Sequence, residues 1–63
     1  MRWYLMPDRG LRFEEHWTLS GYDADIFLRD GIISYQINGN RAELKQSTIA
    51  DAKMLVESKL HTT

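Results

Sequence analysis

The stretch Leu28-Arg29-Asp30-Gly31-Ile32-Ile33-Ser34-Tyr35-Gln36-Ile37-Asn38-Gly39-Asn40-Arg41-Ala42 decides the fold. Asp-Gly and Asn-Gly are the pairs that accept φ > 0 at both central positions of a two-residue hairpin turn. The residues around them are β-branched or aromatic at alternating places, as a half-buried strand requires. If Asp30-Gly31 closes one hairpin, Leu28 faces Ile33, Ile26 faces Tyr35 and Ala24 faces Ile37. If Asn38-Gly39 closes the next, Tyr35 faces Ala42 and Ile33 faces Leu44. Both registers put one apolar set on one side of the sheet, and a slip by a single residue would expose it.

Further turn signals stand at Pro7-Asp8-Arg9-Gly10 and Ser20-Gly21. Strands are accordingly expected at about 2–6, 11–19, 22–29, 32–37 and 40–45. A two-residue turn at Ser20-Gly21 would place Trp17 beside Ala24 and Phe13 beside Leu28, on the same apolar side. After Lys45 the period changes. Ser47 and Thr48 are helix-capping types, Asp51 suits the positive end of a helix, and Lys59 suits the negative end. Ile49, Ala52, Val56 and Leu60 recur at spacings of three and four, which is one helical face. The helix is expected over about 49–60, packed on the apolar side of the sheet. The fold class is therefore α+β, an antiparallel meander of four to five strands with one C-terminal helix, in a single domain over 1–63.

Composition narrows the function classes. Lys plus Arg number 8 against 9 Asp plus Glu, a net charge of −1 without the excess that phosphate binding relies on. The chain has no cysteine, which removes disulfide scaffolds, thiolate zinc sites and thiol catalysis. No run reaches the roughly 20 apolar residues of a membrane span, and the first residues lack a signal-peptide layout. A cytoplasmic location and no membrane association are the expectation. A chain of this size buries only ~60% of the surface its unfolded form exposes, so self-association or a partner is a physical expectation too.

Glu15 falls in the inward phase of Leu11, Phe13, Trp17 and Leu19. It reads as a local bulge, or as a carboxylate paired with Lys53 or Arg2. A catalytic acid is the sharper reading, and it lacks a placed partner. His16 is expected opposite Asp25, a pairing that can orient an imidazole for general-base work, but Ser34 lies a row and two strands away. His16 and His61 have no further soft ligand near them in sequence, so no metal site and no cofactor are expected. Each glycine is explained by a turn, which leaves no phosphate-cradling loop.

The uncovered side of the sheet is the functional candidate. In the inferred register Arg12, Arg29, Ile32 and Lys45 form one row, Glu14, Phe27, Ser34 and Glu43 the next, and His16, Asp25, Gln36 and Arg41 a third. Phe27 and Ile32 are apolar where a solvated strand is ordinarily polar. The first strand adds either Trp3 and Leu5 or Tyr4 and Met6. An interface centred on Phe27 and Ile32, with Arg12, Arg29, His16, Trp3 and Tyr4 around it, fits a protein partner or a second copy. A bare edge strand could extend that contact by main-chain pairing. The alternative is a sheet that reads DNA with Arg12, Arg29, Arg41 and Lys45, opposed by Glu14, Asp23, Asp25 and Glu43 on the same face.

Asp30-Gly31-Ile32-Ile33-Ser34-Tyr35-Gln36-Ile37 followed by Ser47-Thr48-Ile49-Ala50-Asp51-Ala52-Lys53 resembles a pattern of small phage and prophage proteins, over residues 22–60. The layout is similar to the arm-type DNA-binding domains of phage integrases, without their strongly basic N-terminal extension. The phage resemblance implies a stand-alone protein that binds and blocks or redirects a host protein, as counter-defence inhibitors do. The integrase layout implies the DNA-binding alternative.

Overall fold

The computed structural model describes residues 2–7, 13–45 and 47–61. Five strands, β1 (Trp3–Met6), β2 (Glu15–Leu19), β3 (Ala24–Arg29), β4 (Ile32–Ile37) and β5 (Asn40–Leu44), form one antiparallel sheet in chain order. The helix α1 (Ile49–His61) follows and packs on β3 and β4. The meander-plus-helix fold expected from the turns and the change of period is the one observed.

Two turns carry the expected chemistry. Asp30 and Gly31 have φ of 52° and 76°, and Asn38 and Gly39 have 50° and 85°. Positive φ at both central residues matches the strand twist, so the hairpins close on Arg29↔Ile32 and Ile37↔Asn40. Every β3–β4 and β4–β5 pair follows from these closures. The turn expected at Pro7-Asp8-Arg9-Gly10 falls largely outside the described residues.

The third turn differs from its expectation. Gly21 has φ 84° while Ser20 keeps a negative φ, and the Tyr22 N–H reaches the Leu19 carbonyl at 3.3 Å. That is the type II arrangement, whose twist opposes a tight hairpin. The connection therefore runs over Ser20–Asp23, and the Asn38 N–H donates to the Asp23 carbonyl at 2.9 Å. The β2 register moves by two residues, so Trp17 faces Ile26 and not Ala24, and His16 faces Phe27 and not Asp25. A shift of two preserves the faces and changes every row.

The strand expected from 11 begins as β2 at Glu15, where the local bulge that is one reading of Glu15 is found. The Glu14 N–H donates to the Leu28 carbonyl at 2.7 Å, while Glu15 is the register partner of Leu28. Two residues opposite one is a β-bulge, which displaces the alternation by one place. Phe13 is thereby carried to the face away from the helix, where its ring lies 4.7 Å from that of Phe27. The expectation of Phe13 beside Leu28 on the helix side is corrected. Glu15 keeps its inward phase and accepts the Trp17 Nε1–H at 2.8 Å, in place of the expected Lys53 or Arg2. The Lys53 ammonium instead sits 3.6 Å above the Trp17 ring.

The core is small. Leu19, Ala24, Ile26, Ile33, Ala52 and Val56 are buried, with Trp3, Trp17, Leu28, Tyr35, Ile37, Leu44, Ile49 and Leu60 packed around them. Thr48 caps the helix: its Oγ1 accepts the Asp51 N–H at 3.1 Å, and its carbonyl accepts the Ala52 N–H at 3.0 Å. Met54, on the far side of α1, is 69% exposed.

Candidate functional site

No described element covers the second face of the sheet, and side-chain alternation defines its rows. Met6, His16, Phe27, Ser34 and Glu43 form one, and Tyr4, Thr18, Asp25, Gln36 and Arg41 the next. Phe27 is the centre of the first row. The His16 ring stacks on it at 4.6 Å and 24°, Phe13 tilts against it at 4.7 Å, and the Arg41 guanidinium carbon lies 4.7 Å above it. Arg41 also donates to Ser34 Oγ at 3.5 Å. Ser34 is 8% exposed although its strand face carries no helix, because the aromatic cluster and Arg41 overlie it. This is a second, smaller core on the open side.

The cluster sits there for local reasons. Phe27 and His16 are direct register partners, where rings on adjacent strands come into contact. Phe13 arrives through the bulge. Arg41 is two strands from Phe27 and one row away, a diagonal that a long guanidinium stem spans. The His16 Nε2 lies 3.1 Å from Asp25 Oδ1, with nitrogen donating, since an ionised carboxylate has no proton to give. The expected His16–Asp25 pair therefore exists, but diagonally. The imidazole is held between a carboxylate and an aromatic face.

The sequence-predicted contact residues separate into three groups. Phe27, His16 and Arg41 come together in the cluster. Phe27 is half-buried by it, so it is a foundation of the face and not its exposed centre. Ile32 and Arg29 close the β3–β4 hairpin at one end; Ile32 is 51% exposed and the Arg29 Nε is 3.8 Å from Asp30 Oδ2. An open hollow lies between these groups, lined by Phe13, Arg29, Ile32, Ser34, Arg41 and Glu43. At the opposite edge Tyr4 and Met6 are exposed at 45% and 40%.

Trp3 does not belong to this face. Its Nε1–H donates to Glu57 Oε2 of α1 at 2.8 Å, and its ring packs on the core. That contact resolves the orientation of β1 in favour of Tyr4 and Met6. Arg12 lies outside the described residues. Phe13 is the functional-face residue that sequence reasoning misplaced; the signal was the consecutive Glu14-Glu15, whose second acid broke the inward phase.

The nucleic-acid alternative finds Arg29 and Arg41 matched by Asp25 and Glu43 on the same outward strand face, and Arg41 committed to Phe27 and Ser34. Lys45 is exposed just beyond β5. Among the described residues no three His, Cys, Asp or Glu side chains group as metal ligands, and no helix is long and apolar enough to cross a membrane. No protein-family model, curated protein or solved structure matches this chain.

Proposed function

We propose that this chain is a small non-catalytic protein-binding module that docks its partner on the open sheet face. The observation that carries the reading is the exposure of Tyr4, Met6 and Ile32 on the side that α1 leaves uncovered. Between them the Phe13–Phe27–His16–Arg41 cluster supplies a floor whose side chains already contact one another. Such a floor loses little conformational freedom when a partner settles on it. Apolar anchors with Arg29, Arg41 and Glu43 around them have the composition of a contact patch, apolar within and polar at its rim. The inhibitor or adaptor role implied by the phage resemblance would be exercised here.

The test is affinity capture from a lysate with and without nuclease treatment, comparing the parent chain with Ile32→Asp and with Met54→Asp. Ile32 is exposed on the docking face and Met54 on the back of the helix, so both variants should fold. The expected result is a specific protein retained by the parent and Met54→Asp and lost with Ile32→Asp. Retention by Ile32→Asp, or a partner that disappears with nuclease, refutes the reading. Phe27→Asp is unsuitable because it would place a charge inside the cluster.

The DNA alternative keeps one favourable observation, that Arg29, Arg41 and Lys45 are all exposed, although Arg29 and Lys45 stand at the Asp30-Gly31 end of the sheet and Arg41 at the Asn38-Gly39 end. It requires duplex binding that weakens steeply with salt.

A further inference from the structure

We propose that two copies of this chain pair edge to edge through β1, making one continuous ten-stranded sheet about a two-fold axis at Tyr4. The inference goes beyond the docking reading, since it concerns the sheet edge and a second copy, and it shares Tyr4 and Met6 of β1 with the docking face.

The main-chain arithmetic begins at Arg2. The Ser20 N–H donates to the Arg2 carbonyl at 2.9 Å, and the β1–β2 register places Arg2 opposite Ser20. An antiparallel ladder alternates hydrogen-bonded and non-hydrogen-bonded pairs. Tyr4↔Thr18 and Met6↔His16 are therefore bonded pairs, while Trp3↔Leu19 and Leu5↔Trp17 are not. The N–H and C=O groups of Trp3 and Leu5 consequently point away from β2, along the edge that no described strand pairs. Pro7 follows and supplies no N–H.

Among registers that pair described residues only, one symmetric register mates all four groups. With Tyr4 opposite Tyr4 of the second copy, Trp3 stands opposite the second copy's Leu5, and Leu5 opposite its Trp3. Each of these two pairs exchanges both its N–H···O bonds. The neighbouring symmetric register, centred on Leu5, would set Trp3 against Pro7 and lose donors. Centring on Tyr4 also sets Arg2 against Met6, so no like charges meet. Both helices then lie on one side, and the exposed Tyr4 side chains adjoin on the other.

The two edges of the sheet differ in how they are guarded. The β5 edge carries exposed Arg41 and Glu43, and charged edge residues discourage pairing. Tyr4, Leu5 and Met6 of β1 are 45%, 56% and 40% exposed and carry no charge. Pairing β1 with β1 closes after two copies, whereas β1 on β5 would propagate without end. A contact of this length belongs with small interfaces, below ~1,200 Å², so the dimer should populate between about 10 µM and 1 mM.

The chain has no cysteine, so single thiols report the register directly. Facing residues of a non-hydrogen-bonded pair have Cα atoms about 4.5 Å apart, within reach of a disulfide. Tyr4→Cys in a glutathione redox buffer should give a disulfide-linked dimer as the main species. Met6→Cys, displaced from its own copy by about 13 Å along the strand, should remain at least ten-fold less cross-linked. A synthetic chain N-methylated at Leu5 should keep its circular dichroism and sediment as a monomer at 1 mM, where the parent sediments as a dimer. Equal cross-linking at the two positions, a parent monomer at 1 mM, species larger than a dimer, or an N-methyl chain that still dimerises each overturns the proposal. Unfolding of the N-methyl chain overturns it as well, since it would mean that the Leu5 N–H serves the fold.

Discussion

Replacing Phe27 by alanine tests whether the open face carries a core of its own. Phe→Ala at a fully buried site costs about 3–5 kcal/mol, and Phe27 is half-buried, which brings the expectation to about 2 kcal/mol. The contacts bracket that figure, at about 1.5–4 kcal/mol together. The rings of Phe13 and His16 are worth ~0.5–1.5 kcal/mol each, and the Arg41 guanidinium adds ~0.5–1 kcal/mol. Stability for a chain of 63 residues is roughly 3–9 kcal/mol, so the loss is a large fraction of the whole. Urea unfolding followed by the fluorescence of Trp3 and Trp17 should show a midpoint lowered by about 2 M, at an m-value near 1 kcal/mol/M. Thermal unfolding should fall by about 8–16 °C. Ile32→Ala is the control. It is apolar, on the same face and 51% exposed, and should change stability by less than ~0.5 kcal/mol. The reasoning is refuted if Phe27→Ala unfolds within that same margin of the parent, or if both variants cost alike.

Thr48→Ala removes the acceptor of the Asp51 N–H and should cost about 1 kcal/mol, read as a lower urea midpoint and faster amide exchange in the first turn of α1. Gly39→Ala meets no atom within 4 Å but must hold φ near 85°; a loss of about 1–2 kcal/mol in urea unfolding would be purely conformational. Ala52→Leu forces volume into a fully buried site between helix and sheet and should cost about 1–3 kcal/mol. Glu57→Ala deprives the Trp3 indole of its acceptor and should destabilise by about 1 kcal/mol, with a shift in tryptophan emission.

All five strands and the helix were legible as elements, and the register of β3, β4 and β5 with them, because those instructions are local. Asp30-Gly31 and Asn38-Gly39 dictate φ > 0 within two residues, and that conformation sets the β3–β4–β5 register without help from elsewhere. Thr48 and the Ile49–Leu60 stripe likewise act over a few turns of chain, and together these elements determined which sheet face would be apolar. The tertiary structure alone decided what depends on distant groups. Ser20-Gly21 does not make a primed turn, since Ser20 keeps a negative φ, so the β2 register follows from pairing with β3 rather than from its own turn. The orientation of Trp3 accompanies a hydrogen bond to Glu57, 54 residues away. Phe13 changed faces because Glu14 and Glu15 both stand opposite Leu28. The alternation of polar and apolar residues locates a face; only the assembled sheet determines which side chains stand next to one another on it, since each row collects residues from several strands.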